Sequence, residues 1–190
     1  RGVTVDASLR SSNRRVYAVG DAAGGAQFTH LAGYHAGVVI RQVLFGLPAK
    51  ATMRHIPRVT FTDPELAQVG LTEEEAREQH GAALTVLRWP YHDNDRAQAE
   101  GRTAGLIKVM VVRGRPVGAG IVGAQAGELI GLWALAISAK IKIGALAGMV
   151  APYPTLGEVS KRAAGAYFSA RLFDSAWVKR IVRLVQRLLP

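Results

Sequence analysis

The chain of 190 residues is 49% hydrophobic and 20% charged, a composition that excludes a disordered protein, and its lack of cysteine excludes disulfides and thiolate chemistry within these residues. Its formal net charge is +10, but residues 161–190 hold seven Lys or Arg against one Asp, so much of the excess lies in the tail. We therefore expect no nucleic-acid partner, and no apolar run is long enough to predict a membrane span.

The first 51 residues predict a strand, a glycine-rich turn and a helix. Residues 16–25 have the pattern of a short buried strand that enters the turn, and residues 31–44 have the apolar spacing of a helix. Such an element belongs to a parallel sheet, yet the chain offers no second βαβ unit to pair with it. The segment after Leu47-Pro48 predicts a connection, so we place a domain boundary near residue 51.

Residues 52–165 predict an α+β domain with an antiparallel sheet. The expected strands cover residues 58–62, a short segment ending at Val69, and residues 84–91, 106–112 and 116–122, the last two joined by a hairpin turn. Thr72 and Glu75 predict a capping box at the start of a helix that ends near Gly81. Further helices are expected over residues 127–143 and after Pro154, the first with an apolar stripe of Leu129, Ile130, Trp133, Ile137 and Ile141.

Two patterns in the sequence imitate ligand sites. Gly118, Gly120 and Gly123 form a literal GxGxxG, but a dinucleotide site needs a parallel βαβ unit and a ribose-binding acid, so we favour a structural role in easing helix-on-sheet contact. His30 and His35 do not have the spacing of a metal pair. We predict no metal site and expect surface or packing roles for both histidines.

Three polar segments leave two interpretations open. Asp21 follows a predicted buried strand, where a carboxylate either binds ligand hydroxyls or caps a helix or turn. Residues 93–96 form a polar cluster that is most simply a solvated loop. Prolines fix the backbone on both sides of Tyr153, with Glu158 nearby, and this segment is either a substrate-binding phenol beside a carboxylate or a rigid turn before a helix.

The motifs taken together resemble the C-terminal part of the pyridine nucleotide-disulfide oxidoreductases, of the mercuric reductase and dihydrolipoamide dehydrogenase type. The resemblance covers about residues 1–165 and rests on six ordered motifs: VYAVGD, THLAGYHAG, TDPELAQVGLTEEEA, NDRAQAEG, GAGIVGAQAGELI and PYPTLGE. It implies that residues 1–51 close an FAD-binding domain and that residues 52–165 form a homodimeric dimerisation domain, to whose interface we expect Trp133, Ile137 and Ile141 to contribute. Residues 166–190 lie beyond the resemblance, and their own pattern predicts a basic helical tail.

The resemblance also implies cofactors and roles. Asp21 would hydrogen-bond the FAD ribityl chain, and the backbone near Leu31 and Ala32 would approach the flavin and stabilise its reduced form. The nucleotide fingerprints for FAD and NAD(P)H and a redox-active cysteine pair would precede Arg1. We therefore expect the isolated chain to carry no FAD and to be inactive.

One departure from the family bears on the substrate. Lipoamide and glutathione reductases have His-Pro where this chain has Tyr153-Pro154, and a Glu at the position of Glu158 orients that His as acid-base. A tyrosine, with an unperturbed pKa of about 10, is a poor proton acceptor at neutral pH. Lipoamide or glutathione chemistry is therefore doubtful, and so is mercury delivery by a C-terminal cysteine pair, which the chain lacks.

The tail predicts an amphipathic helix. From Asp174 to Leu189 the apolar residues share one face and Lys179, Arg180, Arg183 and Arg187 lie largely on the other. Packing on protein is the interpretation we favour, and docking on anionic lipid is the alternative. We expect a cytoplasmic protein, membrane-peripheral if the tail docks on lipid.

The sequence thus favours the C-terminal part of a homodimeric FAD-dependent NAD(P)H oxidoreductase that acts on an unidentified small molecule. In such an enzyme, electrons would pass from NAD(P)H through FAD and a cysteine pair to a substrate at the dimer interface. The alternative is a non-catalytic dimerisation or interaction module, associated with membranes through its basic helix. The presence or absence of a cysteine pair and two nucleotide fingerprints in a longer sequence would decide between them.

Overall fold

The computed structural model describes residues 2–173 and 175–188, and the side chains of residues 170, 171 and 173 are not described. The chain divides into two compact units between Ile56 and Pro57, a few residues beyond the sequence-based boundary at residue 51.

The first unit contains one long helix. Helix α1 spans Thr29–Phe45, which confirms the predicted helix, and a short 3-10 turn at Gly20–Ala23 precedes it. The predicted strand before this turn is wrong, because a single bridge between Arg10 and Tyr17 is the only strand-like pairing in the described residues of this unit. A strand is stabilised by a ladder of neighbours, and no parallel neighbour is present in these residues.

The second unit is built on a five-stranded antiparallel sheet. Its strands are β1 (Arg58–Thr60), β2 (Glu65–Gly70), β3 (Leu84–Pro90), β4 (Leu106–Val112) and β5 (Arg115–Gly123). They lie in the order β1-β2-β5-β4-β3, and each neighbouring pair is antiparallel. This arrangement confirms the predicted α+β class and the hairpin between β4 and β5.

Six helices accompany the sheet in the described residues. They are α2 (Glu73–His80), α3 (Asp95–Ala99), α4 (Ala126–Ser138), α5 (Ile143–Gly148), α6 (Glu158–Phe173) and α7 (Ala176–Leu188). The predicted capping box is confirmed, because the Glu75 backbone N–H donates to Thr72 Oγ1 and the Thr72 N–H donates to Glu75 Oε2 at 2.8 Å. Residues 166–173, assigned to the tail from sequence, continue α6, where Tyr167 packs into the core.

The hydrophobic core lies between one face of the sheet and α4, α5 and α6. Trp133 at its centre is fully buried, and its indole N–H donates to Ser160 Oγ at 3.1 Å. The apolar stripe of α4 therefore faces its own sheet. This position corrects the expectation that Trp133 belongs to a surface between two copies of the chain.

Helix α4 is also shorter than predicted. It ends at Ser138, because Lys140 adopts a left-handed conformation with a φ of 54°. The Ile141 N–H then donates to the Ala136 carbonyl, and the Lys140 N–H to that of Ile137, which is the Schellman pattern of a helix C-terminus. This helix end could not be predicted from sequence, since the left-handed position usually carries Gly or Asn and here carries Lys140.

The glycines of the GxGxxG pattern have structural roles, but not the contact with a helix that we expected. A Cβ at Gly118 would lie 1.9 Å from the Leu71 carbonyl oxygen, and one at Gly123 would lie 2.4 Å from the ring of the buried Tyr91. Glu65 Oε2 accepts a hydrogen bond from the Gly127 N–H in the first turn of α4. A carboxylate thus stands where a dinucleotide fingerprint would place its phosphates.

On the sheet face opposite the core, Glu73 of α2 joins three basic side chains. Its carboxylate accepts from Arg77 at 2.7 Å, Arg88 at 2.6 Å and Lys108 at 3.1 Å. Arg88 and Lys108 are directly opposite each other on β3 and β4, so without Glu73 they would repel. Hydrogen bonds from Arg77 and Lys108 lower the pKa of Glu73 to about 2.

We expect Glu73→Gln to lower the free energy of unfolding by about 1–2 kcal/mol at neutral pH, because a small ion-pair network is lost. Since the pKa of Glu73 is depressed in the folded chain, this stabilisation is complete above the unfolded pKa near 4.5 and is lost as the pH falls toward 2. Urea unfolding across this range measures the difference. The exposed neighbour Glu74→Gln is the control, and an equal effect of both substitutions would contradict the network.

Candidate functional site

The candidate site of the second unit begins in the turn between α5 and α6. Its central residue, Tyr153, is followed by a cis peptide bond to Pro154. The Thr155 hydroxyl donates to the Pro152 carbonyl at 2.8 Å and so closes the turn. The turn directs the phenol outward, and Tyr153 is 71% exposed.

A second segment, distant in sequence, meets this turn. The Tyr153 hydroxyl donates to Asp95 Oδ2 at 2.9 Å, and Asp95 is the first residue of α3. The preceding Asn94 is buried and caps α3, because its Oδ1 accepts from the Ala97 N–H at 2.9 Å. Its amide nitrogen donates to the Thr155 carbonyl at 3.0 Å. Asn94 thus connects the start of α3 to the turn and holds Asp95 beside Tyr153.

The electrostatics of this pair keep the phenol protonated. The hydrogen bond to Asp95 raises the pKa of Tyr153, and the charges of Asp95 and Glu158 act in the same direction. A phenol that donates to a carboxylate has no proton-accepting role at neutral pH. Its oxygen still has lone pairs, so the site can accept a hydrogen bond or contact a cation.

Glu158 occupies the first turn of α6, five positions after Tyr153 in the chain. It lines an open groove together with Trp89, Lys161 and Arg162. Its influence on Tyr153 is through charge, and the described residues include no hydrogen bond between the two side chains. Glu158 therefore acts on Tyr153 only through its charge, and Asp95 is the direct partner of the phenol.

In the first unit, the candidate cofactor residues cluster at the start of α1. Asp21 is exposed in the 3-10 turn. Gly20, with a φ of 56°, approaches α1 so closely that a Cβ would lie 2.7 Å from the Ala32 Cβ. The Leu31 and Ala32 N–H groups donate to the Phe28 carbonyl, as in any first helical turn. The exposed carboxylate of Asp21 can accept hydrogen bonds from ligand hydroxyls. The positive N-terminal end of α1 favours negative charge on a ligand.

His35 connects the 3-10 turn of Asp21 to α1. It is buried, and its Nδ1 accepts from the Gly20 N–H at 3.2 Å, so the turn that carries Asp21 is tied to α1. Burial lowers the pKa of His35 and keeps it neutral. This confirms a packing role, and the described residues hold no group of three His, Asp or Glu that could bind a metal.

Sequence reasoning missed Asn94 and Asp95, which it assigned to a solvated loop. The usable signal was Asn94 itself, since Asn is a favoured N-cap and Asn94 lies three positions before Ala97. The pairing of Asp95 with Tyr153 joins residues far apart in the chain and has no local signature.

The five-stranded antiparallel sheet with its flanking helices has the fold of the dimerisation domain of disulfide reductases. The family profile "Pyridine nucleotide-disulphide oxidoreductase, dimerisation domain" matches residues 56–164. The chain belongs to this family, which confirms the resemblance seen in its motifs.

Similar proteins include two curated reductases. The chain is 34% identical to a mercuric reductase of Bacillus cereus over 85% of its own length and 26% of the relative. It is also 34% identical to a dihydrolipoyl dehydrogenase of Bacillus subtilis (strain 168), over 85% of its length and 34% of the relative. The chain thus spans about a third or less of these relatives.

Solved structures give the same likeness. LpdA from Mycobacterium tuberculosis superposes with a TM-score of 0.82 at 27% identity, covering 87% of this chain and 36% of the other. The Cu(II) complex of the HOCl-induced flavoprotein disulfide reductase RclA from Escherichia coli has a TM-score of 0.79 at 27% identity, covering 87% of this chain and 38% of the other.

Proposed function

We propose that this chain is the C-terminal part of a homodimeric, FAD-dependent NAD(P)H oxidoreductase. Its family membership and the resemblance of residues 1–51 to the end of an FAD domain support this function. FAD, held in part by Asp21 and the start of α1, would supply the redox chemistry that links NAD(P)H to a cysteine pair in a preceding part of the complete enzyme.

The first unit would hold part of the FAD. Asp21 would accept hydrogen bonds from hydroxyls of the ribityl chain, and the positive end of α1 near Leu31 and Ala32 would lie against the flavin ring. His35 would position the turn through Gly20. These residues bind and orient the cofactor and favour negative charge on it.

The second unit would supply the dimer contact and one wall of the substrate site. In the dimer, the turn of Tyr153 would face the redox-active cysteines of the other subunit. Tyr153 would contact the electron acceptor through its oxygen, while Asp95 fixes the direction of its hydroxyl and Asn94 positions Asp95. The hydrogen bond between Tyr153 and Asp95 is the observation that carries this assignment.

One observation favours a second candidate function. The phenol of Tyr153 cannot act as the proton acceptor that the family's thiol-specific reductases have at this position. A non-catalytic dimerisation or interaction module would also tolerate such a residue. A longer sequence without a cysteine pair and without nucleotide fingerprints would favour this candidate.

Tyr153→Phe in the full-length protein tests the proposed function. We expect the rate of flavin reduction by NAD(P)H to be unchanged, because Tyr153 would take part only in the later step at the acceptor. Stopped-flow absorbance measures this rate. Turnover with cystamine, a small disulfide whose ammonium groups can donate to the phenol oxygen, should fall roughly tenfold, since one positioned hydrogen bond from the acceptor is lost.

Asp95→Asn is the matched control, because an amide oxygen still accepts the phenol hydrogen bond, and it should retain most of the turnover. Sedimentation should find both variants dimeric, like the unmutated enzyme. Equal losses in both kinetic steps, or unchanged turnover in Tyr153→Phe, would contradict the role of Tyr153.

A further inference from the structure

Helix α7 exposes an entire apolar face to solvent. With about 100° between successive residues of an α-helix, its apolar side chains fall on one half of the helix: Trp177, Val178, Ile181, Val182, Leu184, Val185 and Leu188. Six of these seven are 38–69% exposed, and none is buried. The described part of the second unit therefore leaves this face uncovered. The ends predicted for this helix, Asp174 and Leu189, lie outside the described residues.

The other half of α7 is rich in basic residues. It carries Lys179, Arg180, Arg183 and Arg187, and residues 175–190 contain no Asp or Glu. Arg180 and Lys179 lie at the two edges of the apolar half, and Arg183 and Arg187 lie between them. The surface thus requires a partner that is apolar at its centre and anionic around it.

We propose that α7 lies in the plane of an anionic lipid bilayer surface. The apolar half would enter the boundary of the acyl chains, and the long basic side chains would reach out to lipid phosphates. Trp177 in the first turn is the residue type that anchors helices at this depth. A 13-residue helix is far shorter than the ~20 residues needed to span a bilayer, and no described helix is long and apolar enough to do so.

Charge and burial distinguish lipid from other occupants. A nucleic acid would neutralise the bases but leave the apolar face in water. A second α7 would cover the apolar face but leave the basic halves of both helices pointing outward, without an anionic partner. An anionic bilayer satisfies both halves at once, independently of the proposed reductase activity.

Vesicle sedimentation with the full chain tests this proposal. We expect binding to vesicles of equimolar phosphatidylcholine and phosphatidylglycerol at low salt, weak binding to phosphatidylcholine alone, and release by high salt. Trp177 emission should shift to shorter wavelength on binding, and Trp177→Phe should remove most of the shift. Absence of binding to the anionic vesicles at low salt would overturn the proposal.

Two sets of variants identify the cause of binding. Replacing Arg180, Arg183 and Arg187 by Gln should weaken vesicle binding by on the order of 100-fold, since each base near an anionic surface contributes roughly a factor of five. The matched control replaces the exposed Arg14, Arg15 and Arg54 of the first unit by Gln and should bind like the unmutated chain. Equal losses in both triple variants would overturn the assignment to α7.

Ile181→Asn with Val185→Asn should also abolish vesicle binding while leaving the sedimentation of the lipid-free protein unchanged. If this double variant instead dissociates a dimer and binds vesicles as before, the apolar face is covered by a second copy and the proposal is wrong. The proposal would also be overturned if a DNA duplex bound the double variant and the unmutated chain equally while neither protein bound vesicles.

Discussion

Trp133→Ala is expected to lower the free energy of unfolding of the second unit by about 3–5 kcal/mol, the usual cost of truncating a buried Trp. The ring is fully buried between α4 and the sheet, and the substitution also leaves the buried Ser160 hydroxyl without its indole donor. Urea unfolding followed by circular dichroism measures this loss.

Leu135→Ala on the same helix is the control, because Leu135 is 58% exposed in the single chain. It should cost well under 1 kcal/mol of unfolding free energy, since little buried area is lost. Sedimentation adds a second readout: if Trp133→Ala weakened self-association while leaving the unfolding midpoint unchanged, Trp133 would belong to an interface between copies after all.

The sheet could be predicted because its signals are local. Alternate residues of β2, β4 and β5 face the core, such as Ile107, Val109 and Val111, so these strands have a period of two that differs from that of the helices. The capping box at Thr72 likewise depends only on residues three positions apart. Where the deciding contacts lie within a few positions, the sequence specifies the structure.

The fold predictions fail where the local structure depends on backbone distant in sequence or on a residue type that is unusual at its position. Residues 16–20 have the composition of a buried strand, but a strand forms only beside a neighbour. Helix α4 stops because Lys140 accepts a left-handed conformation that Gly usually takes, stabilised by hydrogen bonds back to Ala136 and Ile137. The apolar stripe predicted that a helix forms here, but periodicity alone specifies neither where the helix ends nor whether the stripe meets its own sheet or another copy.

Only the part of the candidate site that has a local signal could be predicted from sequence. Prolines around Tyr153 indicated a fixed phenol, and the structure places it in such a turn. Its partner Asp95, the first residue of α3, lies 58 positions earlier and is brought there by the hydrogen bond from Asn94 to Thr155. Spacing carries no information on such a contact.

Tyr153→His in the full-length enzyme should raise turnover of lipoamide, which we expect the unmutated enzyme to reduce very slowly. The hydrogen bond to Asp95 raises the pKa of Tyr153, so the phenol does not accept a proton from a thiol near neutral pH. An imidazole, with an ordinary pKa of about 6.5, takes up and releases protons in this range. Because general acid-base catalysis contributes roughly 10²–10⁴-fold, a gain of at least about tenfold is expected even with imperfect placement.

The pH profile and a second substitution separate this role from a structural one. Turnover of the Tyr153→His enzyme should acquire a step near the pKa of the new imidazole, absent from the unmutated enzyme. Adding Glu158→Gln should remove most of the gain if Glu158 positions the imidazole, whereas the same change beside Tyr153 should have little effect on lipoamide turnover. Rapid lipoamide reduction by the unmutated enzyme would refute the argument, because it would require a proton acceptor that the Tyr153 site does not provide.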